Sequence, residues 1–172
     1  MDPNQLRQTL QRKLAQLDFD FSRFTLESFA RCIEAQRGRR IEFVPTNFPP
    51  GYYGAWISAK SKPIDYLCYH EHLPPLHQAH VQLHELAHLI CGHKTVTLTN
   101  RQMKQLLANG GDLSAVLCRS NKLRSAEDEQ EAETMARLIY ALAENQAERL
   151  KPASSSVAGK SYLAIFCDRE LA

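Results

Sequence analysis

No stretch of this sequence approaches the roughly eighteen consecutive apolar residues of a membrane-spanning helix. Its first residues, Met1-Asp2-Pro3-Asn4-Gln5, carry neither the basic nor the apolar region of a secretory signal. Its five cysteines (Cys32, Cys68, Cys91, Cys118 and Cys167) are odd in number and show no C-x-x-C spacing, which suits reduced, packed thiols rather than a disulfide framework. These absences lead to the expectation of a cytoplasmic protein. An excess of one charge is also lacking: 21 Lys and Arg against 19 Asp and Glu leave +2, too little to imply a nucleic-acid or membrane partner. There is no internal repeat. At 172 residues, with 44% hydrophobic and 23% charged, the chain reads as one globular domain with a core of useful size.

What the sequence does contain is His84-Glu85-Leu86-Ala87-His88, an H-E-x-x-H motif. On a helix, residues four apart stack one turn above the other, so His84 and His88 can aim two imidazole nitrogens at one ion. Glu85 projects about 100° away from His84. There it can face a water on that ion instead of the ion itself. Zinc held by three protein ligands with one open position acidifies a water, and a neighbouring carboxylate can take the proton. Leu83, Leu86, Ala87, Leu89 and Ile90 make the segment apolar nearly all round, as a helix buried in a small domain must be. Without a metal, the same residues would be core histidines with a glutamate between them. Cys91, three residues past His88, points off the ligand face.

Along the chain, Pro3 and the Leu6, Leu10, Leu14, Leu17 spacing predict an amphipathic helix over 3–17, and a second helix runs from Thr25 to Arg37 with Gly38 as its stop. Arg37-Gly38-Arg39-Arg40 reads as a charged helix end rather than a nucleic-acid patch. Strands are expected at 41–44, ended by Pro45, and at 55–59 and 64–69, the last two joined by a hairpin turn at 60–63. An exposed edge strand beside the metal helix could pair with an extended peptide. The metal helix spans Leu76 to Cys91 behind Pro74-Pro75 and stops at Gly92. His77 lies two turns from His84, too far to share its ion, and His80 reads as a partly exposed polar edge. A short helix over 101–108 follows, then a loop or weak helix over 112–124. A long helix runs from Ser125, capped with Asp128, to Leu150.

A third ligand is required. In the metzincin spacing it would fall on Lys94, which disfavours that pattern. The acidic start of the last helix offers Glu127, Asp128, Glu129, Glu131 and Glu133. Most of these suffice as partners of the helix dipole. Ala132 and Ala136 leave room for another helix to approach. Glu129 and Glu131 flank the apolar stripe of Met135, Ile139 and Leu142 on opposite sides, and the helical wheel does not choose between them. The pair Glu129 and Glu133 resembles the E-x-x-x-D of thermolysin-like glutamate zincins, in which the first acid binds zinc and the second orients a ligand histidine. On that resemblance Glu129 is taken as the third ligand.

Residues 84–93 (His84-Glu85-Leu86-Ala87-His88-Leu89-Ile90-Cys91-Gly92-His93) and 129–136, with the strand pair before them, resemble the ImmA/IrrE family of small metallopeptidases. That family more often has Asn or Asp at the place of Glu133 and Phe at the place of Met135. The resemblance implies a cytosolic zinc endopeptidase whose substrate is an intracellular protein, often a helix-turn-helix repressor. The expected fold is α+β and zincin-like, a helical core carrying the H-E-x-x-H helix beside a small antiparallel sheet. Residues 1–150 would form the domain, with N-terminal helices over 1–40 and the sheet and catalytic helices over 41–150; 151–172 would be linker and tail. Zn2+ would be held by His84, His88 and Glu129, with Glu85 as general base. Tyr52, Tyr53, Tyr66, Tyr69, His77 and His80 are the unranked candidates for stabilising the oxyanion. Two other classes are compatible with the sequence: a zinc-containing module that only binds a partner, and a DNA-associated protease of the SprT type. The weak net charge and missing cysteine pairs count against the latter.

Overall fold

A computed structural model describes residues 2–60, 62–109 and 113–149. The expected linker and tail over 151–172 lie outside the described residues. The chain runs α1 (Pro3–Ala15), a 3₁₀ turn (Phe21–Arg23), α2 (Leu26–Arg37), β1 (Arg40–Thr46), β2 (Gly54–Ala59), β3 (Ile64–His70), α3 (Pro75–Cys91), β4 (Val96–Leu98), α4 (Asn100–Asn109), α5 (Leu113–Leu123) and α6 (Ala126–Arg149). The fold is α+β, as expected. Local chemistry sets the helix ends. Asp2 caps α1 ahead of Pro3. Thr25 and Ser28 form a capping box on α2, which stops at Gly38 with φ 65°. Ser125 and Asp128 exchange hydrogen bonds of 3.1 and 2.8 Å at the start of α6.

The sheet corrects the expectation of an antiparallel one. Its order is β1-β3-β2-β4. The β2–β3 hairpin is antiparallel, but β1 pairs with β3 and β4 with β2 in parallel. The hairpin follows from a short local turn, whereas both parallel pairs join strands that are not consecutive and need crossovers, which strand-sized patterns do not announce. β1 also runs past Pro45 to Thr46. An edge strand tolerates the missing N–H, since one side of its ladder has no partner. The 112–124 segment, expected as loop or weak helix, is helical from Leu113.

The two faces of the sheet carry separate cores. On one, Trp56 and Leu67 pack with α1, α2, α3 and α6 through Leu10, Phe29, Ile33, Leu83, Leu86, Leu89, Met135 and Ile139. On the other, Ile57, Cys68, Val96 and Leu98 pack with Met103 of α4 and Leu117 of α5. Each large apolar side chain so enclosed contributes roughly 1.5–3 kcal/mol. Within the first face Asp65 is fully buried. Arg39 Nε donates to it at 2.8 Å, Ser58 Oγ at 2.7 Å and Trp56 Nε1 at 3.2 Å. Of the basic stretch, Arg39 is used inside the fold on Asp65, while Arg40 pairs with Glu42 at the surface and the exposed Arg37 donates to the Leu89 carbonyl in the last turn of α3.

α3 lies on this face between the sheet and α6. Ala132 and Ala136 of α6 have no exposed surface, and their small side chains let the two helices approach. On the sheet side, a Cβ built on Gly54 would sit 2.5 Å from Val81 Cγ1 and 3.0 Å from Glu85 Oε1. Only glycine at that position lets β2 run so close beneath the motif helix.

Candidate metal centre

The pairings between α3 and α6 run in opposite senses along the two helices: His80 meets Glu133, His84 meets Glu133 and Glu129, His88 meets Glu129, and His93 meets Asp128. The helices are thus antiparallel, and the acidic first turns of α6 face the histidines in the second half of α3. His84 Nε2 and His88 Nε2 lie 3.0 Å apart, and Glu129 Oε2 is 3.2 Å from the first and 3.4 Å from the second. Three donor atoms from three side chains therefore form a nearly equilateral triangle.

Those donors fit zinc in kind and spacing. Zinc takes imidazole nitrogen and carboxylate oxygen at about 2.0–2.2 Å in a tetrahedron, whose edges are then about 3.3–3.6 Å. The triangle found here is close to one face of such a tetrahedron. His88 is fully buried, and Glu129 is 48% exposed on its side chain, so the group opens to solvent on the α6 side. Glu131 does not reach the two histidines: its carboxylate lies 3.6 Å from Lys13 Nζ and 3.4 Å from His93 Nε2. Lys94, the metzincin position, is exposed.

The electrostatics of the metal-free group are those of a cation site. Burial alone would lower the His84 pKa, but its hydrogen bonds to the Glu129 and Glu133 carboxylates outweigh burial and raise the value to about 9. In His88 burial prevails, reinforced by the charge of Arg124 and opposed by Glu129, and its pKa is depressed. Glu129 is held well below the usual carboxylate range by His84 and His88, and Glu133 by His80 and His84. Glu133 Oε2 lies 3.5 Å from His84 Nδ1, the ring nitrogen opposite the donor triangle. That is where a carboxylate fixing the tautomer of a ligand histidine belongs.

Glu85 is 3% exposed. Arg124, in the two-residue link between α5 and α6, donates to its Oε2 from Nη2 at 2.9 Å and places Nη1 3.8 Å from Glu129 Oε1. Arg124 was not among the candidate site residues in the sequence. Neither Tyr52 nor Tyr66 faces α3; both pack against the core on the opposite face of the sheet. His80 is directed to Glu133, 3.5 Å away.

A second group lies beyond the helix end. Gly92, at φ 78°, donates to the Leu89 carbonyl, and His93 N–H donates to the His88 carbonyl at 3.1 Å. This is the Schellman pattern, and it turns the chain back on itself. It places His93 against His88, with Nδ1 to Nδ1 at 2.8 Å. Donor atoms of Cys91, His93 and Glu131 lie within 4.8 Å of one another. Burial, and the charge of Glu131, push the Cys91 thiol up to about 12, so it is a neutral thiol. Cys32, Cys68 and Cys91 form no disulfide.

A cavity of about 410 Å³ opens near the first half of α3, lined in part by Phe21, Leu26, Leu76, Leu83 and Tyr140. It includes none of His84, Glu85, His88 or Glu129. No helix among the described residues is long and apolar enough to cross a membrane. Comparison of the chain with protein families, curated proteins and solved structures gave no match.

Proposed function

We propose that the protein is a zinc-dependent metallo-endopeptidase that hydrolyses a peptide bond in an intracellular protein. The observation that supports this most is the convergence of His84, His88 and Glu129 at 3.0–3.4 Å, with the Glu85 carboxylate on the next residue of the same turn. Zinc bound there would supply Lewis acidity toward a water and toward the scissile carbonyl. The chain's own groups supply the rest. Glu85 accepts the proton of the attacking water on a carboxylate oxygen and passes it to the leaving amine nitrogen. Arg124 holds that carboxylate by its Oε2 and keeps a cationic guanidinium beside the reacting region. Glu133 orients His84 through the ring nitrogen turned away from the donors. Gly54 lets β2 run close against Glu85, which helps to hold its carboxylate in place.

The choice of substrate rests on the resemblance of residues 84–93 and 129–136 to the ImmA/IrrE family, which favours a helix-turn-helix repressor as the protein cleaved. A cytoplasmic location goes with that choice. One observation favours a second reading, a zinc-containing module that binds a partner without cutting it: the Glu85 carboxylate is already engaged by a buried arginine.

Zinc-loaded wild type and Glu85→Gln, incubated with a panel of folded helix-turn-helix proteins and a quenched peptide library, separate the two. Cleavage by wild type and a loss of about 10²-fold or more in the variant, at equal zinc content, is the expected result. No turnover by either would overturn the peptidase reading in favour of the binding module, and equal turnover by both would take the general-base role away from Glu85.

A further inference from the structure

We infer that His93 is a positioning residue that fixes the tautomer of His88, and that the single hydrogen shared by these two rings makes the His84/His88/Glu129 and Cys91/His93/Glu131 donor groups mutually exclusive. The inference rests on the zinc reading of the first group.

It follows from counting hydrogens. The His88 and His93 Nδ1 atoms are 2.8 Å apart, a distance that requires one to donate and the other to accept. The His88 ring is fully buried and the His93 side chain 6% exposed, so the two atoms meet each other away from bulk solvent. For His88 Nε2 to offer a lone pair to a metal, the neutral ring must carry its hydrogen on Nδ1. That hydrogen then points at His93 Nδ1, which must be bare, and neutral His93 carries its own hydrogen on Nε2. His93 Nε2 is buried and makes no hydrogen bond within the usual limits, yet its nearest acceptors are carboxylate oxygens, Glu131 Oε2 at 3.4 Å and Asp128 Oδ1 at 3.5 Å. Two acceptors beside this nitrogen suit an N–H. The resulting chain runs from the donor triangle through His88 and His93 to the acidic first turns of α6, each link oriented by the next.

Filling the second group reverses every step. A cation on His93 Nε2 requires that nitrogen bare, which moves the hydrogen to Nδ1 and from there against His88 Nδ1. His88 must then carry its hydrogen on Nε2, inside the donor triangle, where it blocks metal binding. Lys13 adds to the bias, since its ammonium lies 3.6 Å from Glu131 and already balances that carboxylate. The loaded protein therefore holds one ion, at His84, His88 and Glu129.

Two measurements on the full chain test this. Zinc affinity, read by competition with a chromophoric chelator, should be one equivalent per wild-type chain and about 10–100-fold weaker in His93→Phe, which has no acceptor. His93→Asn, whose carbonyl can accept from His88 Nδ1, should recover most of the loss. Nitrogen-15 NMR of zinc-loaded wild type should show His93 protonated at Nε2 and bare at Nδ1, a readout that needs no variant and is unaffected if His93→Phe fails to fold. Wild-type affinity in folded His93→Phe, the opposite tautomer, or a second equivalent of zinc bound with loss of the Cys91 thiol proton would overturn the inference and leave the first site standing. Wild type that binds no zinc would overturn the zinc reading as well, so the two failures are distinct.

Discussion

Arg124 donates to the carboxylate of Glu85 across 2.9 Å, and the two side chains are only 6% and 5% exposed. An enclosed ion pair is stable only while both partners are present. The arginine arrives from the link between α5 and α6, so the general base of one helix is held by the segment that delivers the third ligand on another. Removing the guanidinium by Arg124→Met should cost about 3–5 kcal/mol, because the Glu85 charge is left buried and unpaired. Adding Glu85→Gln to that variant should restore much of the loss. Urea denaturation of the two single variants and the double variant checks this, and additive losses would show that the pair is not coupled.

Gly54 sets the distance between sheet and motif helix. In Gly54→Ala the new methyl would overlap Val81 Cγ1 and press on the Glu85 carboxylate. Overpacking of this kind should cost about 1–3 kcal/mol. Val81→Ala in the same chain should return most of it by opening space at the closest contact. Thermal unfolding of the three variants measures both effects; a Gly54→Ala protein as stable as wild type would mean that helix and strand are not held at this spacing.

Acid stability should depend on Asp65. Burial would raise its pKa, but hydrogen bonds from Arg39, Ser58 and Trp56 outweigh burial, and the carboxyl is depressed in the folded protein. A group whose folded pKa lies below its unfolded value of about 3.9 stabilises the fold above that value and loses its contribution as pH falls through the folded pKa. Unfolding free energy measured from pH 6 downward should therefore fall below about pH 4 in wild type. Asp65→Asn should be less stable at neutral pH and flatter on the acid side. A parallel acid limb in the two proteins would assign the loss to other carboxylates.

Metal removal should destabilise the fold around α3 and α6. Without an ion, His84, His88 and Glu129 are joined by hydrogen bonds and ion pairs among their own side chains, where a cation would tie all three together. A ligand that binds only the folded state adds about 2.7 kcal/mol at a hundredfold excess over its Kd. Chelation should lower the melting temperature, readdition of zinc should restore it, and Glu129→Gln should show neither effect. A chelator-independent melting temperature in wild type would mean that no structural ion is held.

Much of this was legible in the sequence where the signal is local. The i, i+4 histidines and the glycine stop defined α3, the short turn at 60–63 defined the β2–β3 hairpin, and Ser125 with Asp128 marked the start of α6. The spacing of Glu129 and Glu133 brought the acid that the structure sets against His84 and His88 ahead of Glu131. What escaped depends on partners distant in the chain. β1 and β4 find theirs across crossovers, and three-residue β4 has no room for a period. Gly54 looks like turn punctuation until Val81 lies above it. Arg124, at the end of a weakly patterned segment, gives no sign that Glu85 awaits it. His93 carried a usable signal: a residue just past a left-handed glycine stop donates back to the carbonyl five residues earlier, so a histidine at that place returns to His88.

The central claim is that His84, His88 and Glu129 are a zinc-binding set, and zinc content per purified chain tests it most directly. Measured by elemental analysis after dialysis against zinc-free buffer, wild type and Glu131→Gln should each retain about one ion, and Glu129→Gln should lose most of it. Wild type with no stoichiometric zinc, or Glu129→Gln with a full complement, would contradict the account.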